Sequence, residues 1–348
     1  MRYTQALLLH TLDAFQGKRS VNAAFHLLRG KRSSQTIQDA GFFSMAPLYG
    51  CGATSLSKDE FMKAVRDLWS QGDIVSSKKG HADVTASGRS KAQEIAPLPD
   101  GLNGIRFHAS TQLFWRRLYH LIHSLHVEEE KQHYLLTEKH LLDWVTTFTK
   151  SSSFSSWTTK AFEELDTILS KNDPLQAEVF VQRLSRPGRT GRTLRQLGVD
   201  FGMDSVWAEV YWRSTVHTIL HNVLSQPNQF EAMAAVLPKE ARSPLTITAQ
   251  KTYQLARQAI PIERIASIRR LRGSTIEDHL VEIASHIEDF AWTEYITQED
   301  ASVIQTVLAH SKHLTLKQLK QELPERISYF HIRLCMAREK GAFFHQRT

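Results

Sequence analysis

Five cations, Lys18, Arg19, Arg29, Lys31 and Arg32, stand in a window with no acidic residue between Asp13 and Asp39. Within it, Phe25–Ile37 ("FHLLRGKRSSQTI") closes an apolar helical pattern with Arg29-Gly30-Lys31-Arg32-Ser33-Ser34. These residue types fit phosphate contact. The cations supply charge, Gly30 lets backbone come close, and Ser33 and Ser34 add hydroxyls and the exposed N–H groups of a helix start. The competing readings are a solvated loop, or Arg29 paired with Asp39 or another acid of the same domain.

Three further clusters share this character. Lys78-Lys79-Gly80-His81 joins two alternating runs, "DIVSS" and "ADVTAS", which reads as the tip of a β-hairpin. The tip carries no aromatic residue to stack on a terminal base pair, so a backbone contact by Lys78 and Lys79 is the expectation, against an ordinary solvated turn. Arg183, Arg186, Arg189, Arg192 and Arg195 recur every third residue, with no acid between Glu178 and Asp200. Pro187, Gly188 and Gly191 break any continuous helix there. That loop reads as a nucleic-acid contact, an exposed linker or a dock for an acidic protein surface. Lastly, Arg264, Arg269, Arg270 and Arg272 crowd a turn before Ser274 and Thr275. The helix that follows has Ile276, Leu280 and Ile283 as its core face, and its other face offers Thr275, Asp278, His279, Glu282 and His286. Carboxylates facing a duplex disfavour base reading except where one accepts from a cytosine amine. Phosphate grip and protein binding stay equally open for this helix.

Enzymatic arrangements are weak. His217 and His221 have the i, i+4 spacing of metal ligands, but no HExxH and no carboxylate set accompanies them. His120, His123 and His126 wind around a helix and read as solvated. Trp115, Trp144, Trp157, Trp207 and Trp212 read as core rather than base-stacking platforms. No Ser/His/Asp or Cys/His set is visible. The expectation is no catalysis, no cofactor and no metal.

The elements that must position these clusters follow from periodicity and caps. The first block has helices near Tyr3–Phe15, Val21–Leu28, Ser34–Ala40 and Lys58–Gln71, then the hairpin, which is the order of a winged helix. Ser57 and Glu60 form a capping box, and Phe61, Val65, Leu68 and Trp69 recur at helical spacing. A seam at Ile95–Gly104 closes this block. The middle block is helical throughout, with a loop at Lys150–Ser156. Phe114, Leu118, Leu121, Ile122 and Leu125 form an apolar face opposite Arg116, His120 and His123, and a longer apolar helix covers about Asp204–Leu224. After a second seam, Leu237–Thr246, helices are expected near Ala249–Ala259, Pro261–Ile268, Ser274–Ile287, Thr297–His310, Thr315–Glu322 and Ser328–Lys340. Ser274 and Glu277 are spaced as another capping box. The fold class is mainly α with one small hairpin, divided as 1–96, 104–240 and 244–348.

The 348 residues carry a formal net charge of +7, and 41% are hydrophobic. That composition is globular, and the basic balance favours polyanionic partners. Cys51 and Cys335 are too few for a zinc module or a disulfide framework, and fit a reducing compartment. The N-terminus enters an amphipathic segment rather than a signal peptide, and no run is long enough to span a membrane. The expected location is cytoplasmic, with nucleoid association as a variant.

The first block resembles the RQC winged-helix domain of RecQ-type helicases. "HLLRGKRSSQTI", "LYGCG", "LSKDEFMKAVRDLWSQGDI" and "VTASGR" follow in that family's order across about Tyr3–Glu94. The third block resembles the helix-turn-helix domain at the C-termini of many RecQ helicases, through "IERIASIRRLRGSTIEDHL" and "ISYFHIRLCMA". Domain order and length together resemble the YpbB family of stand-alone proteins in low-GC Gram-positive bacteria. The motor has no counterpart. "GKRS" at Gly17 and at Gly30 both lack the first glycine of a P-loop, and RecQ's four-cysteine zinc module is absent. The resemblance implies a bacterial, non-catalytic DNA-binding protein acting with a RecQ-type helicase in DNA repair or recombination. It implies a preference for forked, gapped or single-strand-containing DNA. The alternatives are a sequence-specific transcription regulator and an adaptor whose winged-helix and helix-turn-helix surfaces bind protein.

Overall fold

A computed structural model describes residues 2–95, 97–125, 138–186, 188–310 and 316–345. His126, Pro187 and Thr315 lie outside the described residues. Among the described residues the chain is mainly helical with one two-stranded antiparallel hairpin, and it forms two compact units, Met1–Arg242 and Ser243–Thr348.

The first unit opens with α1 (Arg2–Phe15), α2 (Val21–Leu28), α3 (Ser34–Phe42) and α4 (Lys58–Ser70), then β1 (Ile74–Lys78), β2 (His81–Val84) and α5 (Ala86–Ile95). Local signals start these helices. Ser20 accepts from Ala23 N, Ser33 accepts from Thr36 N, and Ser57 with Glu60 closes a complete capping box at α4. The hairpin pairs Ile74 with Val84 and Lys78 with His81, and Gly80 takes the positive φ of +76° that the tight turn requires. α5 falls where "VTASGR" reads as the end of a strand. Gly88 packs so closely on Asp73 O that a Cβ would sit 2.3 Å away. Arg89 pairs with Asp13 and Lys91 with Asp73, which ties the segment back as a helix.

Residues 1–96 and 104–240, read from sequence as separate blocks, fall in one compact unit. Its further described α-helices are α6 (Gly104–Ser124), α7 (Lys139–Thr149), α8 (Phe154–Leu169), α9 (Pro174–Gln182), α10 (Leu194–Asp200), α11 (Ser205–Ser225) and α12 (Glu231–Val236). The cause is α11, which carries large apolar residues on several sides and is buried along most of its length. Its Val206, Trp207 and Val210 belong to the core of the first helices, while Trp212, Val216 and Leu220 belong to the core of the later ones. Polar ties reinforce the junction. Asp204 accepts from Thr4 N and Oγ1 at 2.8 and 2.9 Å. Glu209 accepts from Thr54 N, Ser55 N and Arg213 Nε.

Two details of α6 depart from the helical-wheel reading. His123, placed on its polar face, is buried and stacks with Tyr119, whereas Leu125, placed on its apolar face, is exposed. His120 is only half-exposed, and burial beside Arg116 and His123 holds its pKa down at about 4.

The second unit contains α13 (Ile247–Ala256), α14 (Ile262–Arg269), α15 (Gly273–His286), α16 (Gln298–His310), α17 (Leu316–Gln321) and α18 (Tyr329–His345). Its core gathers Ile265, Ile276, Leu280, Ile283, Ile304 and Ile332. α15 lies at its centre, against α13, α14 and α18. The Ser274–Glu277 capping box does not form. Arg272 is the cap residue, no side chain caps the helix, and Glu277 turns toward Arg333 of α18.

Candidate nucleic-acid interface

The face of α2 organises the N-terminal cations. Asn22, His26 and Arg29 recur at i, i+4 and i+7, so they share one side of the helix. At its start, Val21 N donates to Gly80 O, and Ser20 bridges His81, which seats the hairpin tip with exposed Lys78 and Lys79 there. Halfway along, Lys58 from α4 hydrogen-bonds Asn22 Oδ1 and sits 4.4 Å from the Phe25 ring centre. At its end, Arg29 Nη1 donates to Leu56 O at 3.1 Å, and Lys31 and Arg32 are exposed. Eight helical residues span about 12 Å, so the two clusters read from sequence lie at opposite ends of one helix. Lys58 stands between them. It escaped the sequence reading because it lies within the capping box, where it reads as structural.

The electrostatics agree with this geometry. Partial burial first, then Lys31 and Lys58, lower the pKa of His26. Arg29 does not take Asp39, because Arg19 holds that buried carboxylate at 2.7 Å.

Two residues of the opening motif have other duties. Gly30 is buried at φ +66°, and a Cβ there would lie 2.5 Å from His108 Cε1 on α6. Its carbonyl accepts from Tyr49 OH at 3.0 Å. Close approach by His108, not by a phosphate, is what requires glycine. The Ser33 hydroxyl caps α3 by accepting from Thr36 N at 3.3 Å, so it is committed within the fold. Ser34 begins that helix.

The arginine loop divides likewise. Arg186 and Arg189 are exposed, but Arg192 pairs with Asp200 and donates to Gln182 Oε1. Arg183 lies over Trp115 and Trp212, and burial lowers its pKa to about 10. Trp115, Trp157, Trp207 and Trp212 are core, and Trp144 packs against that core.

In the second unit, Arg270 takes a left-handed cap at φ +52°, and Arg270, Arg272 and Ser274 are exposed at the corner where α14 meets α15, with Thr275 half-buried and Arg264 exposed in the first turn of α14. Arg269 is not part of that surface. Its guanidinium donates to Thr248 O, Thr248 Oγ1 and Thr252 Oγ1. The outer face read for α15 is also altered. His279 is buried between Thr248 and Thr252, Asp278 pairs with Arg333, and Glu282 accepts from Thr246 N. The acids that argue against a duplex therefore have cationic or N–H partners inside the unit.

His217 makes two interior hydrogen bonds, to Asn103 N and Thr111 Oγ1. Among the described residues no group of three or more His, Cys, Asp or Glu could hold a metal ion, and no helix is long and apolar enough to cross a membrane.

The family described as "Helix-turn-helix domain" matches residues 248–336, from α13 into α18. A relative, "Protein YpbB" of Bacillus subtilis (strain 168), is 31% identical over 349 residues, covering 97% of this chain and 98% of the relative. The chain belongs to the YpbB family. No solved structure matches it. The helix-turn-helix match points to DNA binding by the second unit of this YpbB-family chain, whose exposed arginines surround the turn between α14 and α15.

Proposed function

We propose that this protein is a non-enzymatic DNA-binding accessory factor that acts with a RecQ-type helicase in DNA repair or recombination. The observation that carries the reading is the grouping of cations along α2, with Lys78 and Lys79 in the hairpin tip seated at its start, Lys58 against its Asn22, and Arg29 and Lys31 at its end, drawn from three chain segments. The helix-turn-helix match of residues 248–336 adds a second DNA-binding element. A row of cations without aromatic platforms suits sugar–phosphate contact, so selectivity among DNAs comes from shape rather than base edges. The RQC-like order of motifs in the first block supports the helicase link.

The test compares affinity for forked, single-stranded and blunt duplex DNA at two salt concentrations, with and without a RecQ-type helicase. Preference for the fork and mutual enhancement with the helicase are expected. Equal affinity for all three DNAs and no effect of the helicase would reject this assignment. One strong duplex footprint with symmetric half-sites would favour a transcription regulator instead.

A further inference from the structure

The later helices of the first unit carry a groove that the phosphate reading does not use. α8, the end of α9 and the end of α6 enclose a cavity of about 450 Å³. Trp157 and Leu165 form part of its buried floor, whereas Phe162, Val181 and Leu125 line it at 73%, 44% and 42% exposure. Large apolar groups left this open in one place are unusual unless something covers them.

The rim is cationic and held in place. Arg186, Arg189 and Arg192 line it against one carboxylate, Asp166, and Arg192 is shared with Asp200. Arg186 and Arg189 exchange two backbone hydrogen bonds of 2.9 Å, and Arg192 N donates to Gln182 O at 2.8 Å. Ser185 Oγ donates to Tyr119 OH at 2.9 Å and accepts from Gly191 N. Gly191 lies so close to Arg183 O that a Cβ would approach to 1.9 Å. Two exposed arginines on a hydrogen-bonded turn therefore stand beside an open apolar slot.

We infer that this groove docks an acidic segment of a partner protein, which inserts one bulky apolar side chain beside Phe162 while its carboxylates meet Arg186 and Arg189. A DNA duplex would meet the arginines through its phosphates and leave Phe162, Val181 and Leu125 uncovered. A small anion would fill the slot and leave its shoulders bare. An acidic peptide with an apolar anchor satisfies charge and exposed area together.

The experiment uses the full chain and fluorescein-labelled synthetic peptides that place one Phe, Leu or Trp among Asp and Glu residues, read by anisotropy. Binding by at least one peptide at about 10 μM or tighter is expected, with none by the matching lysine-substituted series. Phe162→Glu and the pair Arg186→Glu/Arg189→Glu alter exposed side chains, so the fold should persist, which circular dichroism checks. Each should weaken the peptide about tenfold or more, and Phe162→Glu should leave duplex affinity unchanged. No peptide binding at about 1 mM overturns the inference. So does a fall in duplex affinity from the arginine pair while Phe162→Glu leaves peptide binding intact, which makes the rim a phosphate site. A dimer that Phe162→Glu dissociates overturns it too, because the groove then takes a second copy.

Discussion

Replacing Glu209 with Ala tests whether the first helices and the middle helices unfold as one body. Glu209 is fully buried and accepts from Thr54 N at 2.9 Å, Ser55 N at 2.6 Å and Arg213 Nε at 2.8 Å. Removing it strands the Arg213 guanidinium, itself only 4% exposed, and leaves two N–H groups without their acceptor. Breaking a buried pair from one side costs about 3–5 kcal/mol. In a unit as large as Met1–Arg242, each kcal/mol moves Tm by roughly 2–4 °C, which gives a fall of about 6–20 °C. Tryptophan emission is the suitable readout, since Trp292 alone of the seven tryptophans lies in the second unit. The double variant Glu209→Met/Arg213→Leu should recover part of the loss, because an apolar pair carries no stranded charge. A shift below about 2 °C for Glu209→Ala would refute this reasoning.

Other outcomes follow from the same contacts. Gly30→Ala places a Cβ against His108 at a positive φ, whereas Gly72→Ala has a similar φ of +72° and open space around it. Denaturant titration should therefore find a cost of about 2–4 kcal/mol at Gly30 and about 1 kcal/mol at Gly72; equal costs would mean that the His108 contact is not what demands glycine. His108 has its pKa lowered from 6.5 to about 4, first by burial and then by Arg213 and Arg32. Between those values the unfolded chain binds the extra proton, so this group favours folding above about pH 6.5 and that contribution is lost as pH falls toward about 4. Thermal melts should show a smaller loss of stability over that window in His108→Phe than in the parent, and identical profiles would exclude this histidine as the cause.

Much of the helical architecture was legible because its signals are local. The Ser57–Glu60 capping box sits directly before the amphipathic run of α4, and the Lys79-Gly80 turn separates two alternating segments. What escaped depends on partners distant in sequence. Nothing near Ala86–Ile95 reveals that Gly88 must nest on Asp73 O, and so α5 read as a strand end. The apolar run of α11 was visible, but not that its two ends belong to two parts of the core. The arginines divide for the same reason. Arg19 rather than Arg29 reaches Asp39, Arg192 reaches Asp200 and Arg269 reaches two threonines, choices that only tertiary packing makes. Composition located the basic clusters, and the fold then selected which members face outward.

The most direct test is the salt dependence of duplex affinity for the parent and for Arg29→Ala/Lys31→Ala/Lys58→Ala. With about five phosphates engaged, log affinity should fall against log salt with a slope near −4 to −5. Loss of three cations should make the slope shallower by about 2.7, at about 0.9 per contact. A slope near zero in the parent, or one that the triple variant leaves unchanged, would contradict the phosphate-gripping stripe.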